Sequence, residues 1–293
     1  MAIDTPFVSI IMPVFNAERT LSTALRSIMG QTHERWELIL IDDGSRDATL
    51  ATARRHADPR IKVIEGGANL GLAVRLNQAI GLSHGDYIAR MDADDIAYPE
   101  RIATQVAFML THPECDLVGS ALLVFDDTGV IKGKLKLRTK HDEICASPWS
   151  GFALPHPTWL GKRDWFERFG YRPEYKTTQD QDLLLRSFRE SRFACIDQIL
   201  LGYLQDRRRL KKLLAGRLNF ARSITIEAAR QGAWRASLVG LAEQGAKALV
   251  DVLTVPLGLD RHLRGESAAT ITAVDEMEWR AVWAMANDGD VPK

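Results

Sequence analysis

The chain has 293 residues, 46% hydrophobic and 26% charged, a composition that excludes a disordered chain and suffices for one sizeable α/β unit with an appended region. Lys+Arg and Asp+Glu balance at 38 each, so there is no bulk attraction to nucleic acid, and charged partners must be read from local patches. Cys115, Cys145 and Cys195 are far apart, without zinc-knuckle spacing or a disulfide framework, which makes a reducing cytoplasm the default compartment.

The N-terminal stretch MAIDTPFVSIIMPVF lacks a basic start and meets Pro13 after a short apolar run; it reads as a first strand and not as a signal peptide. No stretch reaches the roughly 18 uninterrupted apolar residues of a membrane span. Phe7 to Met12 suits a strand buried on both faces, closed by Pro13 and Asn16. Leu21, Ala24, Leu25, Ile28 and Met29 recur at helical spacing, with Gly30 in the place of a C-terminal cap. Trp36 to Ile41 predicts the second strand, ending in Asp42, Asp43, Gly44 and Ser45, where Ser45 is placed to cap a helix running to about His56. Ile61 to Ile64 predicts a third strand. A Gly-rich turn over Glu65 to Gly71 leads into a helix carrying Leu72, Leu76, Ala79 and Ile80, and Asp86 to Met91 predicts a fourth strand.

That alternation is the rhythm of a mostly parallel sheet with helices on both faces, a Rossmann-like α/β fold. In such sheets ligands bind beyond the carboxyl ends of the strands. Pro13 to Asn16, Asp42 to Ser45 and Asp92 to Asp95 all stand at strand ends. Asp42 and Asp43 could accept a hydrogen bond from a ribose or a base N–H, and a turn cluster explains them equally well. The first turn reads Pro13-Val14-Phe15-Asn16-Ala17-Glu18 and lacks the G-x-G-x-x-G of a dinucleotide site. Asp92, Asp94 and Asp95 repel one another, so the cluster calls for a cation, and a hard divalent ion such as Mg²⁺ suits oxygen ligands beside a phosphate.

VSIIMPVFN at 8–16, LILIDDGSRDAT at 38–49, the Asn69-Leu70-Gly71 turn and GDYIARMDADDIAYPERI at 85–102 together resemble the inverting glycosyltransferases of family 2, in order from residue 8 to about 205. The resemblance implies a GT-A fold over 1–205 and a separate helical region over 206–293. It implies a base pocket lined by Pro13 and Asp42, with Asp43 in support. It also puts Asp92 near the ribose and Asp94 on a Mg²⁺ or Mn²⁺ ion that bridges to the donor diphosphate. Asp95 reads either as a further supporting acid or as a cap for the helix that starts near Pro99. Such a metal neutralises the charge on the leaving diphosphate. UDP is the nucleotide the family uses most.

Asp116 to Phe125 and Val130 to Leu137 predict two further strands around a turn, making the sheet mixed. His156 stands between two prolines in GFALPHPTWLGK at 151–162. There it is either a satisfied turn residue or, by resemblance, a group near the donor sugar or metal. Tyr171 to Arg186 runs from a polar loop into a helix, and Thr177, Thr178 and Asp180 can all cap it. Family members read Glu-Asp here, the Asp being the general base; this chain has Gln179-Asp180. Inversion needs such a base on the acceptor side, so Asp180 is assigned to it and Asp182 is the fallback, pointing elsewhere on the helix.

Phe193 to Leu204 closes the catalytic part. Beyond it Arg207, Arg208, Arg209, Lys211, Lys212, Arg217 and Arg222 accompany Leu210, Leu213, Leu214 and Leu218, a basic amphipathic pattern that suits either an anionic membrane surface or a face packed on the catalytic domain. Ala233 to Leu257 predicts a surface or interface helix, too charged to span. Glu266 to Ala286 predicts a terminal helix whose Trp279 and Trp283 suit packing within the appendage, a membrane interface or a homodimer contact; Asn287 to Lys293 read as a frayed end. Repeats and the aromatic-basic interleaving of single-strand binders are missing. The implied partners are a nucleotide-sugar donor and a glycan or lipid-linked glycan acceptor, met in the cytoplasm at the inner membrane face. A metal-dependent phosphohydrolase is disfavoured by Ile96 where a hydroxyl or small residue belongs. A non-catalytic nucleotide-sugar binder or scaffold on the same fold is the second reading, prompted by Gln179.

Overall fold

The computed structural model describes residues 5–135, 137–204, 210–256 and 270–287. The expected boundary at 205/206 lies outside those residues, as do Arg207, Arg208 and Arg209 of the basic segment, Leu257, Glu266 and residues 288–293.

The first half alternates as the apolar pattern predicts: β1 (Val8–Val14), α1 (Leu21–Met29), β2 (Trp36–Asp42), α2 (Thr49–Arg55), β3 (Ile61–Glu65), α3 (Leu72–Leu82) and β4 (Tyr87–Arg90). Then β5 (Ile96–Ala97), α4 (Arg101–Thr111), β6 (Leu117–Phe125), β7 (Ile131–Lys134), α5 (His141–Ile144), β8 (Leu160–Lys162), α6 (Arg163–Phe169), α7 (Gln179–Ser187) and β9 (Phe193–Leu204) complete the sheet layers. The nine strands run in the order β3-β2-β1-β4-β8-β6-β9-β5, with β7 on the flank of β6. Pairing is parallel among β1–β4, antiparallel where β8 meets β4 and β6, and parallel again between β6 and β9. The order reverses between β1 and β4, the place where such a sheet opens a crevice at its carboxyl edge.

Both faces of the central strands are covered, which explains the unbroken apolar runs. Val8, Ile10 and Met12 of β1 point toward α1 and α4, while Ile11 packs with Leu76 and Ile80 of α3 on the other side. Every residue of β2 is buried. The helix after β2 begins at Thr49 and not at Ser45: its N-cap position is Ala48, and the Ser45 hydroxyl instead accepts the Asn16 N–H at 2.9 Å, tying the turn after β1 to the turn after β2.

Among the described residues three further helices follow, α8 (Leu210–Gln231), α9 (Trp234–Thr254) and α10 (Ala273–Asn287). Neither α8 nor α10 stands apart from the sheet. In α8, Asn219 donates to the Thr177 hydroxyl at 2.9 Å and Ser223 to Asp182 at 2.6 Å. The α10 helix returns to the opposite side, where Trp279, 2% exposed, packs with Tyr98 and Phe125 and donates its indole N–H to the Gly129 carbonyl at 2.8 Å. Trp279 meets Trp283 within the appended helix, ring centroids 5.8 Å apart, and also packs on the sheet, which the sequence did not foresee.

One buried charge in β2 is fully compensated. Glu37 accepts from the Ser9 hydroxyl and from the Lys62 ammonium, each at 2.7 Å, and from the His84 backbone N–H at 2.9 Å. Burial alone would raise its pKa, but these donors outweigh it and bring it from 4.5 to about 2. A depressed pKa stabilises the fold above the unfolded value and loses that contribution as pH falls toward the folded one. Glu37→Gln is therefore expected to cost about 1–3 kcal/mol at pH 7, with the gap to wild type narrowing between pH 4.5 and 2, read from urea melts across that range.

Candidate active site

The three polar strand ends converge at the reversal point. At the end of β1 the chain turns at Asn16, whose φ of 51° is in the left-handed region. The Asn16 side chain accepts the Arg46 N–H at 2.9 Å, and the Ala17 N–H donates to Thr49 at 2.7 Å. This bracing leaves Phe15 half-exposed at the rim. The motif reading passed over Phe15, although an aromatic next to a turn asparagine is a visible signal.

Asp42 and Asp43 are both buried but differ in what they do. Asp43 accepts the Leu70 and Gly71 N–H groups at 2.8 and 2.9 Å and Arg75 Nε at 2.7 Å. Its carboxylate therefore holds the Gly-rich turn. Gly66 is required in that turn, because a Cβ there would lie 2.4 Å from the Asp42 carbonyl oxygen and 2.5 Å from the Arg75 guanidinium. Asp42 accepts the Ser45 N–H at 3.1 Å through Oδ2, and its buried Oδ1 has no partner.

At the end of β4, carboxylate oxygens of Asp92, Asp94 and Asp95 all lie within 4.8 Å of one another. Their exposures are graded: Asp94 is exposed, Asp92 half-buried and Asp95 fully enclosed. Asp95 accepts the Leu204 N–H at 3.2 Å through Oδ1, and its Oδ2 is buried without a partner. It does not cap α4, whose N-cap position is Glu100. Burial first, and then the charges of Asp92 and Asp94, push the Asp95 carboxyl well above the usual carboxylate range. An all-oxygen set with an unsatisfied buried oxygen fits a hard divalent cation.

Arg90 lies beneath this cluster, almost wholly buried, and donates to Asp92 through Nη2, while its Nε and Nη1 have no partner. Burial works against its charge, and the Asp92 and Asp95 carboxylates more than compensate, so its pKa is raised. An arginine in an otherwise apolar strand was legible as an anomaly, and motif matching ignored it. Arg101 fixes the backbone around it, donating to the Arg90 carbonyl at 2.7 Å and the Pro157 carbonyl at 2.9 Å.

That second bond anchors the turn carrying His156. The imidazole is buried, its Nε2 lies 2.8 Å from the Tyr171 hydroxyl, and its ring meets Trp159 edge-on. Burial, and then Arg90, hold its pKa well below the ordinary histidine value, so it is neutral. Among the described residues it does not join the carboxylate group that could hold a metal. Tyr171 is the more informative neighbour, because its phenol, raised mainly by burial, also feels Arg90, Asp180 and Asp92.

Asp180 is half-buried in the first turn of α7, its Oδ2 3.3 Å from the Gln181 amide nitrogen. Burial lifts its carboxyl above the usual range, and Gln181 and Arg90 offset this only in part. Asp182, the fallback base, has another task. Its Oδ1 takes Arg172 at 3.1 Å and Ser223 at 2.6 Å, its Oδ2 takes Arg186 at 2.9 Å, and it is 1% exposed.

A groove of about 960 Å³ runs along the ends of β1 and β4, lined among others by Pro13, Phe15, Asp92, Asp94, Phe125 and Trp283; Asp42, Asp43, His156 and Asp180 are not part of its lining. Its far wall is α10. A second cavity, of about 580 Å³, holds His141 and Cys145 but none of these acids. Burial there pushes the Cys145 thiol up to about 11, which leaves it protonated and unreactive.

Residues 9–170 match the family model for glycosyl transferase family 2. The chain is 39% identical over 191 residues to "Putative glycosyltransferase EpsE" of Bacillus subtilis (strain 168), covering 63% of this chain and 68% of that protein. It is 38% identical over 109 residues to the Escherichia coli UDP-Glc:alpha-D-GlcNAc-diphosphoundecaprenol beta-1,3-glucosyltransferase WfgD, covering 37% of this chain and 43% of that protein. Among solved structures it is similar to S. aureus TarS 1-349 in complex with UDP-GlcNAc, with a TM-score of 0.60 at 18% identity over 96% of this chain and 81% of that one. At that identity the last likeness concerns the fold alone.

The two α7 aspartates should separate by stability. Asp182→Ala removes the buried carboxylate shared by Arg172, Arg186 and Ser223, leaving Arg172 with Glu227 and Arg186 with two carbonyls, and is expected to cost about 3–5 kcal/mol, whereas Asp180→Asn should change stability by less than about 1 kcal/mol. Chemical denaturation of both variants is the check, and equal losses would make Asp180 as structural as Asp182.

Proposed function

The chain belongs to glycosyl transferase family 2, and from that premise we propose that it transfers a sugar, with inversion, from a UDP-sugar to a hydroxyl of a glycan or lipid-linked glycan acceptor. The observation that supports this reading is the Asp92, Asp94 and Asp95 cluster at the end of β4, whose carboxylate oxygens lie within 4.8 Å of one another, in a chain whose residues 9–170 match the family model. The name of WfgD, with UDP-Glc, supports the choice of nucleotide.

In this reading the unpartnered Oδ1 of Asp42 accepts an N–H of the base, in a pocket closed by Pro13 and by the turn that Asp43 holds. Asp92, fixed by Arg90, faces the ribose. Asp94, the exposed member of the trio, with the unpartnered Asp95 Oδ2 behind it, would hold Mg²⁺ or Mn²⁺. Such an ion supplies neutralisation of the diphosphate as it departs. The acceptor oxygen forms its bond to the anomeric carbon while the bond from that carbon to the diphosphate oxygen breaks, and Asp180 takes the acceptor's proton. His156 enters indirectly, as the neutral partner that fixes the Tyr171 hydroxyl.

Asp94→Ala and Asp180→Asn are each expected to lower nucleoside diphosphate release by at least about 100-fold. Calorimetry should show Asp180→Asn still binding UDP within a few-fold of wild type, and full turnover by that variant would remove Asp180 as the base. Because a base must be deprotonated and burial raises the Asp180 pKa, kcat/KM should fall on the acid side at a pH above 3.8, the ordinary aspartate value, and this limb should vanish from the residual activity of Asp180→Asn.

A further inference from the structure

The helix α9 is built inside out. Its buried stripe is polar or small, consisting of Ser237, Gly240, Gln244, Asp251 and Thr254, with Ser237 and Asp251 at 0% exposure. Its outward side carries Trp234, Leu238, Val239, Leu249, Val252 and Leu253, with Leu238 62% and Leu249 61% exposed. A helix on a protein surface normally turns its apolar residues inward, so an ordinary packing helix does not account for this arrangement.

The inward face is nevertheless specifically made. Gln244 and Lys247 both donate to the Ser150 carbonyl, at 3.3 and 3.2 Å, and Arg217 of α8 bonds Asp251 at 3.3 Å and Gln244 at 3.4 Å. Gly240 lies so close that a Cβ would come within 2.2 Å of the Trp149 carbonyl oxygen. These contacts fix which side of α9 faces out, and that side is an apolar surface on a rigid mount.

We infer that the outer face of α9 is a docking surface for an anionic lipid bilayer. The charges of α8 and α9 decide between lipid and a second copy of the chain. Lys211, Lys212, Arg222, Arg230 and Arg235 are exposed, whereas Glu227 and Asp251 are buried in ion pairs and Glu243 is half-buried and paired with Lys247 at 3.2 Å. Two copies meeting through the exposed surfaces of α8 and α9 would set these basic residues against one another. An anionic headgroup layer complements the bases, and its acyl boundary takes the apolar strip.

The helix would lie on the bilayer and not cross it: it carries Arg235, Glu243, Lys247 and Asp251, and among the described residues no helix is long and apolar enough to span. Its inner side also walls a cavity of about 340 Å³, where Gln244 of α9 faces Phe152, Thr178 and Gln181, the residue next to Asp180. One helix thus presents lipid-facing residues on one side and a cavity beside the proton acceptor on the other. The inference goes beyond the transfer reaction and does not rest on it.

The test is co-sedimentation of the full chain with phosphatidylcholine vesicles, with and without phosphatidylglycerol, for wild type, Leu238→Glu/Leu249→Glu and Lys211→Glu/Lys212→Glu. Wild type should bind the anionic vesicles at least about 10-fold more tightly than the neutral ones, and each double variant should lose about 10-fold or more. Melting temperature and turnover with a water-soluble acceptor should stay at wild-type values. Equal binding by wild type and the leucine variant, or no binding by wild type, overturns the inference. A wild-type dimer that becomes monomeric in the leucine variant, without vesicle binding, reassigns the face to a second copy. Vesicle binding by a protein that turns over no nucleotide-sugar supports this inference while the transfer reading fails.

Discussion

Three carboxylates at one strand end repel one another, and the site depends on how the fold answers that repulsion. A single guanidinium, Arg90, lies beneath them and bonds Asp92, holding the middle of the cluster against an interior cation. Arg101, equally buried, then pins the Arg90 carbonyl and the Pro157 carbonyl together. Through this pair the acidic end of β4 is bonded to the His156 turn, and the His156 ring in turn meets the Tyr171 hydroxyl at 2.8 Å. Two buried cations would ordinarily be costly; here each has a carboxylate or a carbonyl to meet.

The same economy recurs in the two aspartate pairs that flank the cluster. In each, one member is consumed by structure and the other is left available. Asp43 is enclosed by Arg75 and two backbone amides, while its neighbour Asp42 keeps a buried oxygen without a partner. Asp182 is held by Arg172, Arg186 and Ser223, while Asp180 has no charged hydrogen-bond partner of that kind among the described residues and meets the Gln181 side chain at 3.3 Å. Fixing one carboxylate in each pair with strong partners sets the backbone that aims the other, which is the usual way a rigid mount preorganises a chemical group.

Much of this was legible in the residues. The first two strands announce themselves as apolar runs because both faces of the central sheet are covered, and β9 spans Phe193–Leu204 as its pattern predicted. The carboxyl-edge position of the acids follows from strand order alone. The short elements β5, β8, α5 and α6 escaped notice because a two- to seven-residue element has no period to detect. Nor can periodicity tell which face of a helix turns inward. In α9 the apolar spacing at Leu238, Leu249, Val252 and Leu253 is real, yet it is the polar stripe, bonded to Ser150 and Arg217, that meets the protein. Which aspartate of a pair is spent on scaffolding is likewise decided by arginines distant in sequence.

The docking of α10 has a kinetic consequence. Its bonds join residues very far apart in the chain: Trp279 to Gly129 across 150 positions, Arg26 to Ala286 across 260 and Thr23 to Asn287 across 264. Contacts of such separation repay their loop-closure entropy late, after local strand and helix pairs have formed. The wall that Trp283 and Asn287 contribute to the groove is therefore among the last parts to arrive. In loop-closure terms the α10 side is the costliest part of the groove to assemble.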